Sequence, residues 1–100
     1  MLSEVLDLII TRTKDNPILS SEIEQVLEMT GGEVRQIIRE LRRNRTPIAN
    51  SSKGYYLART FEEIDATINN LHSRAMSQLV TIKELRNCFN KQTQIEIKYE

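Results

Sequence analysis

The feature that most constrains the fold is a seven-residue apolar repeat in the C-terminal part of the chain. The repeat has nine seam positions, and eight of them are apolar. The seam residues are Phe61, Ile64, Ile68, Leu71, Ala75, Gln78, Ile82, Leu85 and Phe89. This pattern predicts a helix over 60–90, which is about 45 Å long, whereas a compact domain of this size has a radius of gyration of about 13 Å.

A helix of that length extends its apolar seam beyond the core of its own domain. We therefore expect it to pair with a second copy and to form a homodimer. Gln78 is a polar seam residue that can fix the register or the orientation, and Leu79 widens the apolar stripe. Parallel and antiparallel pairing both stay open, as does the alternative that Phe61, Ile64 and Ile68 pack on the first helix of the same chain.

Upstream of the repeat, apolar spacing predicts three short helices over 2–14, 21–29 and 31–44. The first ends at an Asp-Asn-Pro sequence, because the residue before proline avoids the helical region. The second and third open on capping boxes, Ser21–Glu24 and Thr30–Glu33. Because the two helices are joined by a short turn that contains glycine, they predict a helix-turn-helix unit.

Two short strands follow the third helix and predict a β-hairpin over 47–58. Ser51-Ser52-Lys53-Gly54 supplies the turn residues between the strands. Tyr55 and Leu57 share one face of the second strand, which we expect to reach the core, so Tyr56 should point outward. A third capping box, Thr60–Glu63, opens the long helix. The tail 91–100 alternates apolar and polar residues, which is typical of an edge strand or of a frayed helix end. The predicted fold is therefore mainly α with a small β-hairpin and a long C-terminal helix.

The net charge of zero hides a local basic region. Residues 1–30 carry two basic and six acidic side chains, residues 31–59 seven basic and two acidic, and residues 60–100 five basic and six acidic. The three segments therefore have net charges of −4, +5 and −1. A basic segment in a neutral protein predicts a partner of negative charge.

A helical wheel divides the third helix into two faces. Val34, Ile37, Ile38 and Leu41 form the stripe that we expect to be buried. The opposite side and its flanks carry the candidate binding residues Gly32, Arg35, Gln36, Arg39, Arg42 and Arg43. Arginine can pair with guanine and glutamine with adenine in a DNA major groove, which admits one helix. The alternative is an ordinary solvated face on which Glu33 and Glu40 pair with neighbouring arginines.

Other residues of this region are candidates for phosphate contacts, which position a protein on DNA without reading sequence. Gly32 removes side-chain bulk at the start of the helix, where backbone N–H groups can approach a phosphate. Arg35, Arg42 and Arg45 flank the binding face, and Lys53 with Ser52 lies at the hairpin tip.

Several classes of function are disfavoured by composition. The single cysteine and single histidine cannot build a cysteine-based or histidine-pair metal site, and no paired carboxylates or activated nucleophile are evident. We therefore expect no enzyme activity, cofactor, metal or small-molecule ligand. The absence of a long apolar run and of a signal sequence predicts a cytoplasmic protein without membrane association.

The order of these elements resembles a winged helix-turn-helix domain. The likeness is carried by the segment 34–42, by Pro47-Ile48 and by Gly54-Tyr55-Tyr56-Leu57. It is similar to the N-terminal domains of biotin-repressor-type regulators and to small helix-turn-helix proteins of bacteriophages, over residues 1–59. The resemblance implies that the third helix enters the major groove and that the hairpin 47–58 acts as a wing.

The resulting hypothesis is a dimeric, sequence-specific binder of double-stranded DNA that acts as a transcriptional repressor. Residues 1–59 would bind DNA, 60–90 would dimerise, and 91–100 would form a tail. Two alternatives stay open: a phage-type protein of DNA replication or genome organisation, and a winged-helix module that binds proteins but not DNA.

Overall fold

A computed structural model of the chain describes the backbone of residues 1–99 and the side chains of residues 1–88. Its elements are α1 (Leu2–Ile9), α2 (Ser20–Leu27), α3 (Gly31–Arg43), β1 (Ile48–Ser51), β2 (Gly54–Leu57) and α4 (Phe61–Tyr99). The predicted fold class is confirmed: the chain is mainly helical, with a two-stranded antiparallel hairpin and a long C-terminal helix. Residues 1–67 form one compact unit, and a second unit begins at Ile68.

The core of the first unit lies where α1, α2 and α3 meet the hairpin. Its buried side chains are Val5, Ile9, Ile18, Ile23, Met29, Val34, Ile38, Leu41 and Ile48. In α3, the predicted stripe is inward: Val34, Ile38 and Leu41 are buried and Ile37 is half-buried. Burying this stripe, at about 25 cal/mol per Å² of apolar surface, fixes which face of α3 points to solvent.

The start of α3 is held by the predicted capping box. The Glu33 backbone N–H donates to the Thr30 hydroxyl at 3.2 Å, and the Glu33 carboxylate accepts from the Thr30 backbone N–H at 3.1 Å. The Glu33 carboxylate also accepts from the Thr30 hydroxyl at 3.0 Å, and these two hydrogen bonds to the carboxylate lower the pKa of Glu33. The cap therefore stabilises the first turn of α3 and orients the Glu33 side chain toward Thr30.

Two details of the helix starts and ends differ from the prediction. The capping box predicted at Ser21–Glu24 is wrong: α2 begins at Ser20, its N-cap is Leu19, and no side chain caps it. The Ser20 hydroxyl instead donates to the Glu24 carboxylate at 3.0 Å, one helical turn away. That contact occupies the glutamate that the predicted box required.

The first helix also ends earlier than Lys14, at Ile9. The residues after it form turns, and Thr13 pairs with Asn16 in an isolated bridge. The Arg12 carbonyl accepts a hydrogen bond from the Leu57 N–H at 3.3 Å. This tertiary contact draws the segment toward the hairpin and overrides the local helical spacing.

The hairpin pairs Ile48 with Leu57 at its base and Ser51 with Gly54 at its turn. The second edge of β2 is closed by the link before α2, because Ile18 and Tyr55 exchange two backbone hydrogen bonds of 2.8 Å each. Gly54 has φ +131°, and a β-carbon there would collide with the Ile18 carbonyl. Only glycine fits this position without strain.

The outer edge of β1 is also closed. The Ile48 carbonyl accepts from Arg42 Nε at 2.9 Å. Two residues further along the same edge, the Asn50 N–H donates to the Thr67 hydroxyl at 3.2 Å, and that hydroxyl donates to the Asn50 carbonyl at 3.4 Å. The Thr67 side chain is buried. The short sheet therefore has no open edge that could pair with another chain.

The prediction that Tyr56 points outward is wrong. Tyr56 is buried with 3% of its surface exposed. Tyr55 packs against the core, as expected, and is half-buried there. Tyr56 lies opposite Ala49, which is also buried, and the charge of Glu63 from the first turn of α4 acts on its phenol. Burial, reinforced by that negative charge, raises the pKa of Tyr56. Both faces of the hairpin therefore carry buried residues: Ile48 on one face, and Ala49 with Tyr56 on the other.

The long helix begins at Phe61, as predicted, but it continues to Tyr99. Its bounds include 91–99, whose side chains lie outside the described residues, so the role of the predicted tail 91–100 stays a prediction. The third capping box is half formed: the Glu63 N–H donates to the Thr60 hydroxyl at 3.3 Å, but the Glu63 carboxylate accepts from the Arg59 N–H at 2.8 Å.

Candidate nucleic-acid interface

The candidate interface is the solvent face of α3, which lies opposite its buried stripe. Its exposed residues, called here the binding face, are Gly32, Arg35, Gln36, Arg39 and Arg43. The capping box fixes the start of the helix and the core residues fix its rotation. The fold therefore brings together five of the six α3 residues that the sequence singled out and leaves them accessible.

One carboxylate lies near the binding face, because Glu24 Oε2 and Arg35 Nη1 are each 3.4 Å from the position of a β-carbon on Gly31. Among the described side chains, no carboxylate lies within ion-pair distance of Arg35, Arg39 or Arg43. Glu33 is engaged by Thr30, and Glu40 is half-buried. The structure therefore does not show the alternative arrangement, in which these two glutamates pair with neighbouring arginines. Free guanidinium groups on one helical face are suited to binding phosphate oxygens and guanine bases.

Gly32 leaves an open space at the start of the binding face. A β-carbon built there would have no neighbour closer than 3.8 Å, the guanidinium of Arg35. Its backbone is therefore accessible to a ligand without an intervening side chain. This differs from Gly54, whose environment excludes any side chain.

Arg42 differs from the other arginines of α3 because its side chain is half-buried and bonded to the hairpin. Its Nε donates to the Ile48 carbonyl, and its Nη2 lies 3.4 Å from Asn50 Oδ1. Burial lowers the pKa of the guanidinium. The helical wheel placed Arg42 beside the binding face, but it gave no sign of these partners. Asn50 and Thr67 were missed for the same reason, since their contact spans 17 positions of the chain.

The remaining candidates lie around the hairpin and after α3. Arg45 is exposed and has φ +68°, the left-handed region, just after the end of the helix. Ser52 and Lys53 are exposed at the hairpin tip, where the Lys53 N–H donates to the Ser51 hydroxyl at 3.2 Å. These side chains are free to contact a ligand that spans both α3 and the hairpin.

A shallow cleft of about 210 Å³ lies between the start of α2 and the hairpin turn. It is lined by Leu19, Ser20, Asn50, Ser51, Ser52, Gly54 and Tyr55. Its volume is below the roughly 300–1,000 Å³ of usual small-molecule sites. Within the described part of the chain, no cluster of three or more His, Cys, Asp or Glu side chains could hold a metal ion. Likewise, none of the described helices has the length and hydropathy of a bilayer-crossing segment.

Most of the described seam residues of α4 are exposed. Phe61 is 77% exposed and Ile68 is 52% exposed, so neither is buried as the alternative of packing within the chain required. Ile64 is half-buried. The other described seam residues, Leu71, Ala75, Gln78, Ile82 and Leu85, are exposed, as is Leu79 beside them. Phe89 lies outside the described side chains.

No protein family model matches this chain, and neither a curated protein nor a solved structure shows significant similarity to it. The resemblance to winged helix-turn-helix domains therefore stays a prediction, and it rests on the residues and the element order of this chain alone.

Proposed function

We propose that the protein is a homodimer that binds double-stranded DNA in a sequence-specific manner and represses transcription. The observation that supports this proposal is the binding face itself: three arginines without a carboxylate partner, a glutamine and a glycine, all exposed on one rigidly packed helix. In the proposed complex α3 enters the major groove, and the hairpin 47–58 lies over the neighbouring backbone as a wing.

The residue types suit two kinds of contact. Gln36 and Arg39 lie near the centre of the binding face, and we assign them to base edges, since a glutamine amide pairs with adenine and a guanidinium with guanine. Arg35, Arg45 and Lys53 lie around it, and we assign them to phosphates. Each phosphate contact releases counterions, so it adds affinity that depends on salt but not on sequence.

The homodimer is supported by the exposure of α4. Every described side chain from Ile68 to Cys88 is exposed, including large apolar residues such as Leu79 and Leu85. Helices gain most of their stability from packing an apolar face, and an isolated one is marginal in water. A second copy offers the same stripe, and two-fold symmetry would present two binding faces to two half-sites.

Fluorescence anisotropy with a mixed-sequence duplex at about 50 and 200 mM salt tests DNA binding. We expect tight binding at low salt that weakens steeply at the higher concentration. Arg39→Gln should weaken binding, whereas Lys83→Gln, an equal loss of charge on exposed α4, should not. If the wild-type protein fails to bind at low salt, the DNA proposal is wrong and the binding face is left to an acidic protein partner.

Selection from a random-sequence duplex pool tests the regulatory role. A sequence-specific dimer should enrich an inverted repeat, because each binding face reads one half-site. Salt-dependent binding without enrichment of any sequence would contradict the repressor and favour a role in genome organisation.

A further inference from the structure

We propose that Asn50 is a further DNA contact, whose side-chain amide donates a hydrogen bond to a phosphate oxygen beside α3. This inference rests on the proposed DNA binding and adds to it a residue of the hairpin. Three observations carry it: the hydrogen bonds that hold Asn50, the donor that they leave unused, and the position of Asn50 beside the binding face.

Asn50 is held through both its backbone and its side chain. Its backbone N–H donates to the Thr67 hydroxyl at 3.2 Å, and its backbone carbonyl accepts from that hydroxyl at 3.4 Å. Its side-chain oxygen Oδ1 lies 3.4 Å from Arg42 Nη2. Because a guanidinium can only donate, the amide turns its oxygen toward Arg42 and its NH₂ group away. These contacts therefore set the orientation of the amide.

The amide nitrogen of Asn50 is the donor that these contacts leave unused. No described residue accepts a hydrogen bond from Asn50 Nδ2. Asn50 is half-buried, and every fully buried nitrogen or oxygen on the described side chains of this kind has a hydrogen-bond partner. Asn50 Nδ2 therefore reaches solvent. Because its orientation is already set, this donor can bind an acceptor at little cost in side-chain freedom.

Asn50 borders the binding face of α3. Its partner Arg42 follows Arg39 by three positions, and residues at that spacing are neighbours on a helix surface. A helix with its side chains is about 10–12 Å wide, and the major groove is about 12 Å wide. A donor beside the helix therefore faces the sugar–phosphate wall of the groove. Asparagine side chains are among the usual donors to phosphate oxygens.

The neutral amide gives this contact a signature that an arginine lacks. Loss of a contact between an arginine and a phosphate reduces the slope of log affinity against log salt by about 0.9, because fewer counterions are released. Asn50 carries no charge, so loss of its contact should lower the affinity but keep the slope. The strength of hydrogen bonds to charged groups corresponds to a loss of about ten- to a hundredfold.

The test is fluorescence anisotropy of the full-length protein with a mixed-sequence duplex over a salt series. We expect Asn50→Ala to bind about ten- to a hundredfold more weakly with the wild-type slope. Asn70→Ala makes the same change at an exposed position of α4 and should bind like wild type. Unchanged affinity or a reduced slope of Asn50→Ala overturns this inference alone. If wild-type protein fails to bind at low salt, the proposed DNA binding is wrong as well.

Replacement by aspartate separates the contact from a structural role of Asn50. Asn50→Asp keeps an oxygen acceptor for Arg42 but has no donor, so Tm should not fall while DNA binding weakens. Asn44→Asp adds the same charge at an exposed position at the end of α3 and should weaken binding less. Equal losses from the two variants would overturn the contact, because general repulsion of phosphates would then account for both.

Thr67 is a positioning residue that acts through Asn50. Thr67→Val removes the hydroxyl that bonds both backbone groups of Asn50, so it should weaken DNA binding at a temperature where the variant is folded. Thr67→Ser retains the hydroxyl and should restore the affinity. In protein that already carries Asn50→Ala, Thr67→Val should cause no further loss. Independent, additive losses from the two substitutions would overturn this role of Thr67.

Discussion

Replacement of Arg42 by glutamine separates a structural arginine from one that contacts DNA. The substitution removes the Nε–H donor that lies 2.9 Å from the Ile48 carbonyl. Ile48 is 1% exposed, so its carbonyl loses a charged donor in a place that water reaches poorly. Hydrogen bonds to charged groups contribute about 1.5–3 kcal/mol, and the contact of 3.4 Å to Asn50 adds little at that length.

We therefore expect Arg42→Gln to lower the free energy of unfolding by about 2 kcal/mol, or Tm by roughly 8–16 °C. Its matched control is Arg35→Gln, which removes the same charge from an exposed position of α3. Arg35→Gln should leave Tm nearly unchanged but should reduce the slope of log affinity against log salt by about 0.9, the value for one lost phosphate contact. At a temperature where both variants are folded, Arg42→Gln should retain the wild-type slope.

The measurements are thermal unfolding by circular dichroism and anisotropy over a salt series. If Arg42→Gln unfolds at the wild-type temperature and loses the same slope as Arg35→Gln, the reasoning is refuted. Arg42 would then bind phosphate, as its position on the helical wheel first indicated.

Three further predictions concern glycine positions and the buried tyrosine. Gly54→Ala should lower the free energy of unfolding in urea by about 1–3 kcal/mol or more, because φ +131° is strained for alanine and the Ile18 carbonyl blocks its β-carbon. An unchanged urea midpoint would contradict this prediction. Gly32→Ala should raise the free energy of unfolding by up to about 1 kcal/mol, because alanine is a better helix former than glycine, and it should weaken DNA binding. Unimpaired DNA binding would show that Gly32 does not lie in the major groove. The pKa of Tyr56 in the folded protein is raised above its ordinary value of 10.0. The protonated phenol therefore contributes fully to the free energy of unfolding below pH 10.0, and this contribution is lost as the pH rises through the pKa of the folded state. Thermal unfolding from pH 8 to 11 should show this loss in wild-type protein and a smaller one in Tyr56→Phe.

The parts of the fold that the sequence predicted are those determined by neighbouring residues. The capping box at Thr30 and Glu33 spans one helical turn, and the start of α4 at Phe61 follows from local spacing. The exposure of the binding face was predictable as well, because it follows from the apolar and polar pattern within α3 alone. The wheel did not show whether the glutamates of α3 neutralise its arginines, since that depends on side-chain conformation.

The failures arise where distant segments meet. Alternation along β2 predicts one buried face, but Tyr56 on the opposite face is buried as well, together with its cross-strand neighbour Ala49. The hydrogen bond between Arg42 and Ile48 joins a helix to a strand beyond the turn, outside the reach of a helical wheel. Ser20 rather than Ser21 begins α2 because the link before it is fixed by the pairing of Ile18 with Tyr55.

The pairing of Ile18 with Tyr55 has a consequence for how α3 meets a ligand. The two backbone hydrogen bonds close a loop that contains α2, α3 and β1, so neither end of this segment is free to fray. We expect the Ile18 and Tyr55 amide protons to exchange with solvent only on global unfolding of the first unit. Because α3 is held in this way, it is ordered before it binds a ligand. Binding should therefore cost α3 little conformational entropy and show only a small change in heat capacity from coupled folding.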